Sequence, residues 1–361
     1  MRQGITFQAK TEALAQLETN LGARLNALGL SDLVEHHFDA QTSRLRICLS
    51  QSAFDRLTPS HNTIDLVQQN PEGLLAWEIW LAWLSSPVAL IFDSWEDLES
   101  AERIRLNLCN NAKVTSLDFR TEDASRPETH WTYQEDRGYV LLPHADLIES
   151  LILATQPDRS GTTYAFSCYR ATEYVILLSM AQEAKSHHPE LYQILEQQWR
   201  TKAISSRRFH TSFLHELGDE QTPLPMNWYV PGDRVWFKNP NLLSSDVTGY
   251  EGSWVIYIGG GMFCNFWNHK RPYTLDRKCV ELFHWQHGYR INKHGSAHID
   301  EDIVTALTDQ SMADPQKREE ILSAMKRYRD PSGVYANGGC IDSTREMPRR
   351  VLPQHCEVVL S

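Results

Sequence analysis

The run from Gly252 to Trp267, GSWVIYIGGGMFCNFW, constrains the fold most, because two apolar segments flank three consecutive glycines. Both segments have the alternation and the β-branched or aromatic residues of strands. Adjacent glycines suit the tight turn of a hairpin. No GK[ST] sequence and no helix start follows them, so the glycines do not indicate a phosphate-binding loop. The sequence therefore predicts an antiparallel hairpin, preceded by a further strand in PGDRVWFKNPN.

A long helix is predicted upstream of this hairpin, in TTYAFSCYRATEYVILLSMAQEA from Thr162 to Ala184. Its apolar residues recur at helical spacing and mark one face, namely Ala171, Tyr174, Val175, Leu178 and Ala181. Cys168 stands where an aromatic-rich segment turns into this helix. A helix that packs on an antiparallel sheet predicts the α+β fold class for this part of the chain.

The N-terminal part has a different pattern. VALIFD, DLESAERIRLNL and KVTSLDF read as strand, helix and strand, which predicts a small α/β domain. A polar stretch from residue 120 to residue 137 then suits a domain boundary. We therefore expect two domains, residues 1–137 of unknown role and residues 138–361. Within the first, Trp77, Trp80 and Trp83 recur at helical spacing, which is typical of a core face.

Composition excludes several classes of function. With 35 basic and 46 acidic residues among 361, the formal charge of -11 argues against a nucleic-acid partner. The longest apolar run, Leu74 to Phe92, contains Glu78 and Pro87, so we expect a buried helix and strand and no membrane span. The seven cysteines are scattered without a CxxC pair, and no secretory signal opens the sequence, which predicts a reducing, cytoplasmic location.

Cys168 has two interpretations. At a helix N-terminus, unpaired backbone N–H groups favour a thiolate, the nucleophilic form of cysteine. Free cysteine is also among the most buried residue types, so packing alone would account for it. A nucleophile needs a base with an orienting partner. The candidate bases downstream are His269, His284 and His287, and the candidate orienting acids are Glu251 and Glu281.

A metal site is the rival interpretation of the same region. Histidine and cysteine ligands suit zinc, and five of them occur within a short span: Cys264, His269, Cys279, His284 and His287. Structural zinc sites usually contain close ligand pairs such as CxxC, and only His284 and His287 are close here. We therefore predict neither a metal nor a cofactor.

The order of the motifs LPHADLIESLI, TTYAFSC, PGDRVWFKNPN and YEGSWVIYIGGG resembles the bacterial protein-glutamine gamma-glutamyltransferases of Bacillus spore coats, over roughly residues 138–310. This resemblance implies a papain-like, NlpC/P60-related catalytic domain. It also implies that Cys168, which matches the cysteine of the family's YAFEC segment, is the nucleophile. Two positions depart from the family pattern, since Ser167 and Ser253 stand where the family has glutamates.

The resemblance leaves the other site residues to be chosen. Glu251 lies two residues before Ser253 and is the substitute carboxylate. A gapless alignment puts Phe266 at the family's AHG histidine. An alignment with an insertion of about twenty residues instead matches QHGYRI and the next helix, and makes His287 the base, with His284 and His269 in reserve. We prefer the second, so the predicted catalytic residues are Cys168, His287 and Glu251.

By this resemblance the chain is an acyltransferase on protein glutamine side chains, with a cysteine thioester intermediate and a lysine or polyamine acceptor. Two alternatives stay open from the residues. One is a cysteine peptidase, amidase or deamidase on the same fold, because water competes with the amine. The other is a catalytically inactive binding or structural homologue, which Ser167 and Ser253 favour.

Overall fold

The computed structural model describes residues 2–8, 11–70, 73–119, 124–204, 206–330 and 338–360, and within these ranges the chain is a mixed α+β structure. Its strands are β1 (Ile5–Gln8), β2 (Val34–Asp39), β3 (Arg44–Leu49), β4 (Leu90–Phe92), β5 (Asp118–Phe119), β6 (Trp131–Gln134), β7 (Gly138–Leu141), β8 (Ala165–Phe166), β9 (Leu214–Leu217), β10 (Arg234–Lys238), β11 (Gly252–Gly259), β12 (Met262–Phe263), β13 (Tyr273–Thr274), β14 (Tyr289–Ile291), β15 (Ala297–Ile299) and β16 (Arg345–Pro348).

The helices are α1 (Thr11–Ala27), α2 (Gln51–Leu57), α3 (Leu75–Leu84), α4 (Trp95–Val114), α5 (Leu147–Thr155), α6 (Pro157–Ser160), α7 (Cys168–His187), α8 (Pro189–Thr201), α9 (Ser206–Phe213), α10 (Leu242–Ser245), α11 (Leu275–Gly288), α12 (Glu301–Ala313) and α13 (Pro315–Met325). None of the described helices combines the length and the apolar character needed to cross a bilayer.

Two sheets organise the chain. The first has the order β2-β3-β1-β4, in which β1 and β4 are parallel and the other pairs antiparallel. The second has the order β13-β12-β11-β10-β16-β9 and is antiparallel throughout. Helix α7 packs against β11 of the second sheet and against α4, α5 and α8. The predicted helix on an antiparallel sheet is thus present.

The strand, helix and strand predicted in the N-terminal part are present as β4, α4 and β5. Strand β5 pairs in parallel with β8 and does not join the sheet that contains β4. Asp118 lies opposite Ala165, and Phe119 lies opposite Phe166. The end of α4 therefore carries the chain away from the first sheet and towards the residues that precede Cys168.

The apolar residues form two cores. The first core consists of buried apolar residues between Ile5 and Leu98 and is completed by Leu224, Trp228 and Val230. The second core consists of buried apolar residues between Ile104 and Val351. Helix α4 thus contributes to both. The predicted boundary between residues 137 and 138 lies in the turn between β6 and β7, and the two-domain division stays a prediction.

The tryptophan stripe and the glycine run meet in space. Trp80 and Trp83 of α3 are buried as predicted, with ring centroids 6.1 Å apart. Glu78, on the same helix, is buried beside the turn between β11 and β12. Its carboxylate accepts hydrogen bonds from the Tyr257 hydroxyl at 2.6 Å and from the Gly260 N–H at 2.7 Å. The glycines form a hairpin turn, as predicted, and an acid from the N-terminal elements holds that turn.

Candidate active site

Cys168 is the first residue of α7. Ser167 is the N-cap, and its hydroxyl accepts a hydrogen bond from the Arg170 N–H at 3.3 Å. A serine in this role satisfies one of the backbone donors that a helix start leaves unpaired. The Cys168 side chain is half-buried, whereas five of the other six cysteines are fully buried. The helix start thus places a half-buried cysteine next to backbone N–H groups.

The strands β10 and β11 form the opposite side of the site. In their register Trp236 lies opposite Trp254, and Phe237 lies opposite Ser253. Gly252 lets the two strands approach closely, because a Cβ atom there would lie 2.3 Å from Nε1 of Trp236 and 2.6 Å from the Phe237 oxygen. Glycine at this position therefore fixes the indole of Trp236 beside the backbone that faces Cys168.

Two cavities meet at Cys168. One, the charged cavity, has a volume of about 200 Å³ and is lined by Cys168 together with Lys278, Glu281, Glu301, Arg271 and Arg277, and by Ser253 and several aromatic rings. The other, the aromatic cavity, has a volume of about 370 Å³ and is lined by Cys168, Tyr169, Trp236 and Trp254, with Glu251 at its edge. Cys168 thus lines a cavity on each of two sides.

The surroundings of Cys168 act on its protonation in opposite directions. Burial raises the pKa of the Cys168 thiol. The largest opposing influences are a backbone hydrogen bond from Trp254 and the positive charge of Lys278. The balance favours the thiol form, because burial outweighs these influences even with the charge of Lys278 nearby.

The charged cavity also holds two glutamates with different partners. Glu281 accepts a hydrogen bond from Lys278 Nζ at 2.9 Å. Glu301 accepts one from the Tyr250 hydroxyl at 2.6 Å, and burial raises the pKa of its carboxyl. Glu281 therefore pairs with a cation, whereas the Glu301 carboxyl is shifted towards its neutral form.

A family model described as protein-glutamine gamma-glutamyltransferase matches residues 57–343. The chain belongs to this family. The predicted resemblance is thus confirmed, and the match begins well before residue 138, where the motifs suggested that it starts. Family membership supports a glutamine-modifying acyltransferase activity in general, with proteins as substrates. The charged and aromatic cavities at Cys168 are therefore the candidate active site of this family member.

Among solved structures, the transglutaminase from Geobacillus stearothermophilus without its C-terminal extension is similar to this family member. The sequence identity is 16% and the TM-score is 0.39, and the match covers 60% of this chain and 97% of that chain. No curated protein sequence matches the chain significantly.

The predicted carboxylate Glu251 lies one residue before β11. It is exposed, and it lines the aromatic cavity, which Cys168 also lines. Ser253 lines the charged cavity instead. The structure thus brings Cys168 and Glu251 to one cavity, while Ser253 lines the other.

The predicted base His287 lies in the last turn of α11 and is exposed. Its Nδ1 is 3.1 Å from Nδ1 of His284, and Nε2 of His284 is 2.8 Å from the Ser311 hydroxyl. Burial lowers the pKa of His287 and lowers that of His284 to about 4. The remaining candidate, His269, lies partly exposed in the turn after β12. No histidine lines either cavity among the residues that the structure describes.

The gapless alignment puts Phe266 at the position of the base, and the alignment with an insertion puts His287 there. After the glycine turn the chain pairs with β11 as β12 and then continues to the buried Phe266. QHGYRI instead spans the end of α11 and β14, which pairs with β15. His287 as the base stays a prediction.

Two residues of the charged cavity, Lys278 and Glu301, were not predicted from the sequence. Both are on helices, α11 and α12, that pack against each other. A signal for α11 is present in the sequence: Thr274 is followed by Asp276, a typical N-cap and acidic first turn, and Lys278 and Glu281 have i,i+3 spacing. That pattern predicts a helix with a paired lysine, but it does not predict which cavity the pair lines.

Two clusters outside the site have the residue types that bind metals. They are Glu35, His37 and Cys48, and Asp93, Asp97 and His355. In each an arginine already pairs with a carboxylate: Arg2 with Glu35 at 2.7 Å, and Arg350 with Asp93 at 2.7 Å. Neither cluster includes any of the five residues considered for zinc from the sequence.

Proposed function

We propose that this protein is a thiol-dependent acyltransferase that modifies protein glutamine side chains through a thioester on Cys168. The observation that carries the proposal is the position of Cys168, at the first turn of α7, where the charged and aromatic cavities meet. A glutamine side chain and an amine can approach one sulfur from different sides. The packing of α7 on an antiparallel sheet supports a papain-like, NlpC/P60-related fold for this part.

In the proposed reaction the Cys168 thiolate attacks the carboxamide carbon of the glutamine. The C–N bond breaks, the nitrogen gains a proton and leaves as ammonia, and a thioester remains. A lysine or polyamine nitrogen then attacks the thioester, the C–S bond breaks, and an amide forms with loss of the amine proton. Backbone N–H groups at the start of α7 are suited to stabilise the oxyanion.

Glu251 is suited to the acceptor side of this reaction. It lines the aromatic cavity with Trp236 and Trp254, and its carboxylate would attract a protonated amine. Aromatic faces also favour a cation. We propose that Glu251 and the indoles receive the lysine or polyamine.

The test measures incorporation of a fluorescent primary amine into casein, together with ammonia release. We expect both from the unaltered protein and neither from Cys168→Ser. Cys356 is the matched control because it is also half-buried and burial raises the pKa of its thiol, so Cys356→Ser should keep both activities. Equal incorporation by Cys168→Ser would contradict the proposal.

The alternatives give different results in the same experiment. Ammonia release without amine incorporation indicates a deamidase or amidase on this fold. Absence of both, with Cys168 no more reactive than Cys356 towards iodoacetamide, indicates an inactive homologue, which the raised pKa of the Cys168 thiol favours. His287→Gln tests the predicted base, since loss of ammonia release with unchanged alkylation of Cys168 would support it.

A further inference from the structure

Lys278 occupies an unusual position for a lysine. Only 2% of the residue is exposed, and it lies on α11 between core residues of the same helix. Its Nζ donates to Glu281 at 2.9 Å and lies 4.2 Å from the ring centroid of Tyr273. The Tyr273 hydroxyl is hydrogen-bonded to the same Glu281 carboxylate. The ammonium is thus held by a carboxylate and an aromatic face.

This arrangement has no clear benefit for stability. Burying an ion pair costs solvation that the attraction between the charges often fails to offset, and an apolar side chain of similar volume is commonly as stable. The neighbouring residues of α11, such as Cys279 and Leu282, are packed in the core, so the position would accept such a side chain. A buried charge that stability does not require, on the wall of a cavity, points to a role in that cavity.

The cavity in question is the charged cavity, and the group that shares it with Lys278 is the Cys168 thiol. We propose that the Lys278 ammonium is the positive charge that stabilises the Cys168 thiolate, and that Glu281 and Tyr273 hold it in place. The inference rests on the proposed function and deepens it, because it names the group that favours ionisation of the nucleophile. Ser167 and Ser253, which stand where the resemblance implies glutamates, carry no charge.

The other charged groups around the thiol are less suited to this role. Arg234 of β10 is the second cation that acts on Cys168, but it lines neither cavity and its charge acts less strongly on the thiol than that of Lys278. Arg277 pairs with Asp309 on α12. Further titratable groups face the same region from the surrounding elements, namely Arg271 from the turn before β13, Tyr250 from the segment before β11, Glu301 from α12 and Cys264 after β12.

The pKa shift of the thiol agrees with this geometry. Burial raises the pKa of Cys168, and the charge of Lys278 is the largest side-chain influence that opposes the rise. Removing that charge while keeping the volume should therefore leave burial without its main opposing charge. The thiolate would then form only at a higher pH.

The experiment follows the rate of Cys168 alkylation by iodoacetamide from pH 6 to pH 11, read by mass spectrometry of the labelled peptide. For Lys278→Met we expect the midpoint to rise by about one pH unit, which is about a tenfold lower rate at pH 7. Lys278→Arg should keep the midpoint near that of the unaltered protein. Lys293→Met, at an exposed lysine in the turn between β14 and β15, is the matched control and should change nothing.

A Glu281→Gln variant gives the opposite sign, because it removes the negative charge and leaves Lys278, so its midpoint should fall. If Lys278 and Glu281 had only a structural role, both substitutions would shift the alkylation midpoint in the same direction. An unchanged midpoint in folded Lys278→Met overturns the proposal, as does a shift of both variants in one direction. If Lys278→Met fails to fold, Lys278→Gln takes its place: a higher midpoint supports the proposal, and an unchanged or lower one overturns it.

Alkylation needs no glutamine substrate, so this experiment is independent of the proposed acyl transfer. A midpoint shift in Lys278→Met without amine incorporation by the unaltered protein would refute the acyltransferase and keep the Lys278–Cys168 pairing. Amine incorporation by the unaltered protein, with no midpoint shift in Lys278→Met, would support the acyltransferase and refute the Lys278–Cys168 pairing.

Discussion

At the scale of single residues, the candidate site combines a cysteine at a helix start with serines at the two positions where the resemblance implies glutamates. Ser167 has a structural role, since its hydroxyl caps α7. Ser253 is buried on β11 and lines the charged cavity. Lys278 and Glu281 of α11 and Glu301 of α12, which line the charged cavity, lie outside the motifs that identified the cysteine.

Glu78 shows how one buried residue connects distant parts of the chain. We expect Glu78→Ala to lower the free energy of unfolding by about 3 kcal/mol, because the Tyr257 hydroxyl and the Gly260 N–H would lose their acceptor in a buried place. Urea unfolding at pH 7 measures the change. Glu18→Ala, at an exposed position of α1, should alter stability by less than about 0.5 kcal/mol. Similar values for the two variants would contradict this account.

At the scale of elements, the β10–β11–β12 hairpins set the site, and their approach depends on one glycine. Gly252→Ala should lower stability by about 2 kcal/mol or more, because its Cβ would clash with the indole of Trp236 and the backbone of Phe237. It should also slow alkylation of Cys168, which lies across the aromatic cavity from Trp236. Thermal unfolding and the labelling rate are the measurements.

Gly22 is the matched position for this test. It lies inside α1 and is exposed, and a Cβ atom added there would meet no neighbouring atom within 4 Å. Because alanine favours a helix interior over glycine, Gly22→Ala should raise stability by about 0.5–1 kcal/mol. If both alanines behaved alike, close strand approach would not explain Gly252.

At the scale of the whole molecule, the C-terminal segment after β16 ties the N-terminal elements to the second sheet. Arg350 pairs with Asp93, which precedes α4, and with Glu357. The Glu357 carboxylate also lies 2.7 Å from Nε2 of His215 on β9. Helix α4 and this segment therefore join the two cores by different means, apolar packing in one case and ion pairs in the other.

The Glu357 cluster predicts a pH dependence of stability. Burial alone would raise the pKa of Glu357, but hydrogen bonds from His215 and Arg350 lower it to about 2. A carboxyl with a folded-state pKa below its unfolded value stabilises the protein above the unfolded value and loses that contribution as the pH falls. We expect up to about 3 kcal/mol to be lost between about pH 5 and pH 2.

The measurement is urea unfolding at pH 7, 5 and 3 for the unaltered protein and for Glu357→Gln. The variant should be less stable at pH 7 and should show a flatter decline towards pH 3. Glu18→Gln, at an exposed carboxylate, should follow the unaltered protein. A decline in Glu357→Gln as steep as that of the unaltered protein would assign the acid sensitivity to other groups.

The local sequence alone determined much of this protein. The helix that begins at Cys168, the glycine hairpin, the buried tryptophans and the family all follow from short-range periodicity, turn chemistry and motif order, which act within a few residues. Only the tertiary structure decided what surrounds the thiol. Lys278, Glu281 and Glu301 reach the charged cavity because α11 and α12 fold back beside β11, whereas the exposed His287 lies against His284 at the end of α11. Such proximity depends on packing between segments about a hundred residues apart in the chain, and no local pattern specifies it.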